Sequence, residues 1–195
     1  MTAFRKPQVA LTSKAAPFAI RAERTADVAM REALLDACFG ENRDDRTCQR
    51  LRDGRAPAAG LALSAVREGT LVGTVRLWHV SAGGRPALVL GPLAVDPACR
   101  ELGIGAALMQ QALAAARARG HAAVILLGDA PYYARFGFST EKTGALVLPG
   151  PFERDRLLAI EFTDGALDGA EGQIVPTGAA LAKRWVVRAL QAHAA

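Results

Sequence analysis

Only three cysteines and three histidines occur in 195 residues. Cys38, Cys48 and Cys99 are odd in number and show no CxxC spacing, so the chain offers neither a disulfide framework nor, with so few histidines, a zinc site. Reduced thiols in a cytoplasmic setting fit this usage, and no metal is expected. No apolar run approaches the roughly 20 residues that cross a bilayer, so no membrane partner is expected. Aromatic residues make up 6% of the chain and form no basic, aromatic-rich stripe. The net charge of +5 is scattered among acids, as along residues 41–46, so no nucleic-acid partner is expected.

With 51% hydrophobic and 22% charged residues, the composition is globular. The length suits one domain that buries roughly two thirds of its unfolded surface. Residues 1–16 carry Arg5, Lys6 and Lys14 but no acid and no compact apolar core of a secretion signal. They are expected to be a disordered tail, followed by a domain over residues 17–165 and a C-terminal extension over 166–195.

The run FAIRAE (18–23) alternates as a short strand, and TADVAMREALLDACFG (25–40) places Val28, Leu34, Leu35 and Cys38 near helical spacing before Gly40. RTCQRLRDG (46–54) predicts a second short helix. LALSAV, TLVGTVRLWHV and PALVLGPLAV, joined through REG and SAGGR, predict three consecutive antiparallel strands. A helix over about 102–119 turns Ile104, Leu108 and Ala112 inward and stops at Gly120. HAAVILLG is apolar throughout, as a strand covered on both faces would be, and Asp129 is placed to cap a short helix over DAPYYARFGF. LVLPG and RLLAIEF predict two more strands, and AALAKRWVVRALQAHAA a terminal helix.

The stretch CRELGIGAALM (99–109) is where chemistry concentrates. A P-loop needs lysine and Ser or Thr after its glycines, whereas Ala106 and Ala107 follow Gly105. A dinucleotide fingerprint needs a third glycine within a repeated βαβ unit, which is missing. What fits is a pyrophosphate on a helix start: glycines let the main chain approach an anion, first-turn amides lack helical acceptors, and Arg100 adds charge.

LGPLAVDPACRELGIGAALM resembles the acetyl-CoA-binding segment of the GNAT acetyltransferase superfamily, whose loop reads Q/R-x-x-G-x-G/A; Arg100, Gly103 and Gly105 match it. YYARFGF matches the family's Y-x-x-x-G-F block through Tyr133, Gly137 and Phe138, and GDAPYYARFGF is similar to a bacterial subgroup of the YhbS type. One departure is Glu101, where many members carry glycine. The resemblance covers about residues 18–163. It implies a mixed α/β fold with a mostly antiparallel central sheet. In order this is strand, two helices, three strands, helix, strand, helix and two strands, with the fourth and fifth strands splayed. It also implies acetyl transfer from acetyl-CoA to a primary amine by direct attack in a ternary complex.

By that resemblance the pantetheine arm would lie on Leu93, Ala94 and Val95. The pyrophosphate would lie on Arg100, Glu101, Leu102, Gly103, Ile104, Gly105 and Ala106. Tyr133 stands where the family brings a phenol to the coenzyme sulfur as general acid, with Tyr132 as its packing partner. No general base stands out. Trp78, His79 and Arg43 are candidates for the acceptor pocket. The acceptor is a small-molecule or peptide amine, and a homodimer is left open. Two rival readings are a regulatory acyl-CoA-binding module without catalysis and a basic nucleic-acid-binding domain.

Overall fold

The structure, a computed structural model, describes residues 17–181. The tail at 1–16 and the terminal helix expected beyond residue 181 lie outside those residues. The first three strands are β1 (Ala19–Ala22), β2 (Ala62–Arg67) and β3 (Thr70–Ala82), and β4 (Arg85–Val95) follows. Helix α1 (Val28–Phe39) lies between β1 and β2. Beyond β4 come α2 (Ile104–Ala118), β5 (Ala123–Leu127), α3 (Ala130–Ala134), β6 (Leu146–Val147), β7 (Leu157–Glu161) and β8 (Gly172–Pro176). The sheet order is β1-β2-β3-β4-β5-β7, with β8 bridging β3 and β6.

The two hairpins follow from their turn residues. Glu68 and Gly69 join β2 to β3, Gly83 and Gly84 join β3 to β4, and all four have positive φ, the backbone of the turns that match strand twist. All pairings are antiparallel except β4 with β5 and β6 with β8.

The β4–β5 contact is short. Parallel register holds only at Leu88 with Val124 and Val89 with Ile125. Beyond it the register of β4 on β3 passes from Leu77 opposite Leu90 to Val75 opposite Leu93, so Gly91 and Pro92 face the single residue Arg76. An extra residue of this kind bends a strand, and proline brings no N–H to a ladder. From Gly91 onward β4 diverges from β5, which is the splay the sequence implied.

Two apolar layers sandwich the sheet. Alternation sends Leu88, Leu90, Val124 and Leu126 toward α2, where Ile104, Leu108, Met109, Ala112 and Ala116 are buried. Val89, Ala123 and Ile125 point to the opposite layer, with Trp78, Leu157 and Ile174. Both faces of β5 are covered, which explains its unbroken apolar run. The helix lies close on β3: a Cβ on Gly73 would stand 2.9 Å from Ile104 and 3.0 Å from Leu108.

Several expectations are corrected. The helix expected over 46–54 is instead one 3-10 stretch, Thr47–Leu51, preceded by another over Glu41–Asp45, with Arg46 between them in extended conformation. Tertiary ties hold it so: the Thr47 hydroxyl donates to the Pro151 carbonyl, and Arg50 donates to that of Pro149 at 2.6 Å. In α1, Leu34 and Leu35 are buried but Val28 is exposed; Arg31 is buried in its place, donating to Glu23 at 2.6 Å and also pairing with Glu32. The LVLPG strand is reduced to Leu146–Val147. The sheet continues past residue 165, because β8 pairs with Val80, Ser81 and Ala82 on the edge of β3 that β2 leaves free. Residues 179–181, expected to begin the terminal helix, run extended: Ala180 bridges Arg55, and Leu181 donates to the Gly54 carbonyl at 2.8 Å.

Candidate active site

At the end of β4 the Asp96 side chain accepts the Ala98 amide at 2.9 Å and caps a 3-10 turn over Pro97–Leu102. Gly103 then takes φ +73 and opens α2. That left-handed backbone favours glycine, and as cap it brings no side chain to the helix's first amides. The amides of Ile104, Gly105 and Ala106 therefore point out of the helix start with its positive dipole end behind them. Arg100 and Glu101 are exposed beside it, and Leu102 packs on the core. Ile104 is fully buried and Ala94 nearly so; of these two only the backbone is available to a ligand.

The strand Leu93–Val95 pairs with β3 on one side and has no β5 partner on the other. The Val95 carbonyl accepts the Cys38 thiol at 3.4 Å. A row of peptide groups facing the splay, followed by a glycine-capped helix start, is a cradle for an extended amide-bearing arm ending in a diphosphate. The residues expected from the sequence are thus contiguous in space, running from Leu93 to Ala106.

Asp129 accepts the Tyr132 amide at 3.3 Å and so caps α3. The helix presents both tyrosines, whose rings meet edge to face at 5.0 Å. Tyr133 packs into the core against Phe138, and burial pushes its phenol up to about 12. Its ring leaves no room for a side chain on Gly128, where a Cβ would fall 2.2 Å away. The Tyr132 hydroxyl reaches across to α2, 3.4 Å from where a Cβ on Gly105 would stand.

Both tyrosines line a cleft of about 720 Å³ that opens where β4 and β5 diverge. Leu93, Gly91 and Pro92 form its sheet side, and the segment from Arg43 to Arg52 forms the opposite wall. Arg43 lies in this wall, its charge taken up by Glu32 and by Asp36 at 2.6 Å. Trp78 is buried beneath the cleft rather than lining it, and its indole donates to the Gly91 carbonyl at 2.6 Å. His79 is not among the lining residues; its ring meets that of His121 at 5.3 Å instead.

The comparisons with known proteins agree with this geometry. The model of the acetyltransferase (GNAT) family matches residues 28–138. An uncharacterized N-acetyltransferase of Escherichia coli strain K12, YhbS, is 30% identical over 157 residues, which is 80% of this chain and 93% of that protein. The crystal structure of E. coli YhbS in complex with CoA aligns with a TM-score of 0.72 at 29% identity, over 85% of this chain and 93% of that one. A GNAT acetyltransferase from Brucella melitensis in complex with acetyl-CoA aligns with a TM-score of 0.59 at 26% identity, over 86% and 97%. The chain belongs to the GNAT acetyltransferase family.

Membership makes it an N-acetyltransferase with acetyl-CoA as acyl donor. Two residues of the cleft were not singled out in the sequence. Gly91 carried a signal, since Gly-Pro inside an apolar strand marks a bulge. Arg52 carried none. It lines the cleft, its Nη1 lies 3.8 Å from where a Cβ on Gly91 would stand, and its buried Nε has no hydrogen-bond partner. Burial pushes its guanidinium down from the usual arginine range. Among the described residues no cluster of His, Cys, Asp and Glu is arranged to hold a metal, and no helix is long and apolar enough to cross a membrane.

Proposed function

We propose that this enzyme acetylates a primary amine of a small molecule or peptide in the cleft between β4 and the Arg43–Arg52 wall, with Tyr133 as general acid. The observation carrying this reading is the cleft itself, which joins Leu93 at the edge of β4 that β5 leaves open, Tyr133 and a separate wall in one space. The backbone of Leu93, Ala94 and Val95 holds the pantetheine arm. The amides of Gly103 to Ala106 hold the diphosphate, assisted by Arg100, while Glu101 stays in solvent. Gly105 lies between Val95 and the Tyr132 hydroxyl, 3.6 and 3.4 Å from where its Cβ would stand.

Bound acetyl-CoA supplies a thioester carbonyl that an amine attacks directly, releasing a thiolate. Tyr133 is protonated at any physiological pH, so its Oη–H is always present to donate to the departing sulfur. With a phenol near 12 against a thiol near 8.5, its help is chiefly a hydrogen bond to sulfur as charge builds. The carboxylates lining the cleft are Asp45, Asp129 and Glu153, and all three are exposed. Asp129 is engaged as a cap. Among the described residues no buried carboxylate lines the cleft as a base, so the acceptor arrives neutral or passes its proton to solvent.

A cytoplasmic setting fits the three unpaired cysteines. A screen of amines for acetyl-CoA-dependent thiol release tests the reading. Turnover of at least one amine class supports it; stoichiometric acetyl-CoA binding without turnover of any amine favours a regulatory acyl-CoA-binding module.

A further inference from the structure

Charge in the cleft wall is unevenly compensated. Arg43 is paired with Glu32 and Asp36, and Arg156 lies 3.8 Å from Glu153. Arg46 is exposed and stacks over Phe39. Arg52 differs: among the described residues it makes no ion pair and no side-chain hydrogen bond, and its Nε is shut away from solvent. Asp53 and Asp44 are the acids whose charge acts on it, but both are exposed, and Asp53 accepts Gln49 at 2.7 Å instead. Arg52 is half-buried, and a guanidinium whose Nε is buried without a partner is costly; such groups are retained where a ligand completes them. Guanidinium is also the group best matched in shape to a carboxylate.

Its location says which ligand. β4 runs from Gly91 through Leu93 and Val95 to the helix start, so the diphosphate end of the cradle lies far down the strand from Arg52. Gly91 lies two residues, about 7 Å of strand, before Leu93 on the side away from the helix start. An anion at Arg52 therefore belongs to the acceptor, and it sits within a small molecule's length of the thioester. Resting on the acetyltransferase reading above, we infer that the acceptor is an amino carboxylate, an amine whose own carboxylate is held by Arg52 while its nitrogen faces the acyl group.

The test uses the full chain and amino acids (α, β and γ), each beside its carboxamide, assayed by thiol release above the pKa of both amines. Wild type should turn over at least one carboxylate with kcat/KM about tenfold or more above its amide. Arg52→Gln should collapse that ratio toward one by raising KM, and Arg52→Lys should restore part of it. Acetyl-CoA affinity by calorimetry should hold in both variants. Amides used as well as acids, or a ratio that survives Arg52→Gln, overturns the inference while leaving acetyl transfer intact. Calorimetric titration of the same acids and amides into the CoA-loaded protein separates the two claims. Arg52-dependent binding of acids without thiol release upholds the carboxylate site and removes the acetyl-transfer reading. Should Arg52→Gln fail to fold by circular dichroism, Arg52→Lys decides, because it keeps the charge and loses the fork; an unchanged acid-to-amide ratio in it counts against the inference.

Discussion

The indole Nε1 of Trp78 on β3 donates to the main-chain carbonyl of Gly91 on β4 at 2.6 Å. This bond pins the bulged residues where β4 turns away from β5, and so fixes the floor of the cleft from below.

Trp78→Phe keeps most of the buried area and leaves the Gly91 carbonyl without its donor. We expect a loss of about 1–3 kcal/mol in chemical denaturation, together with a raised KM for the acceptor. Acetyl-CoA affinity should change little, since Leu93 to Val95 remain paired with β3. A variant as stable as wild type would show that the bulge holds itself.

Tyr133→Phe keeps the ring that packs on Phe138 and removes the proton. Because the phenol is a weaker acid than the thiol it serves, turnover should fall about 10²-fold, the low end for positioned acids, with acetyl-CoA affinity and melting temperature nearly unchanged. Tyr132→Phe should cost much less. A fall in stability alongside activity would make Tyr133 a packing residue only.

The pH profile carries a sign. Tyr133 donates while protonated, below about 12, and loses that capacity only as pH rises through that value. Thiol release should therefore climb as the acceptor amine deprotonates and stay on a plateau through pH 10. A descending limb below pH 10 would assign the proton to another group.

The Arg43–Arg52 wall should set acceptor choice. Replacing residues 41–46, while keeping the Thr47 and Arg50 ties to the Pro149–Pro151 strand of loop, should change acceptor preference in the amine screen. Acetyl-CoA affinity should persist. Loss of coenzyme binding with unchanged acceptor preference would move the pocket elsewhere.

The glycine-capped start of α2 was legible in the sequence because its geometry is local. A diphosphate on a helix start needs glycine where φ is positive and where backbone must come close, and Gly103 and Gly105 show that need within three residues. The hairpins were equally readable from Glu68-Gly69 and Gly83-Gly84. The Arg43–Arg52 wall was not, because it is made by distant contacts. Thr47 and Arg50 are tied to carbonyls a hundred positions away, which turns an expected helix into 3-10 turns. β8 has only five residues and exists through its pairing with β3 and β6. Trp78 and His79, adjacent in sequence, part company because strand alternation sends one under the cleft and the other toward His121. Arg52 is one arginine among many until its burial is seen.

The most direct measurement is calorimetric titration of acetyl-CoA into wild type and Gly103→Asp. The substitution sets a negative charge at the cap of α2, where a diphosphate would sit, and strains a backbone at φ +73 by about 1–2 kcal/mol. Stoichiometric binding by wild type, weakened at least about tenfold in a variant still folded by circular dichroism, is expected from repulsion at the helix start. Equal affinities in the two proteins, or no binding by wild type, would contradict the placement of the coenzyme between β4 and α2.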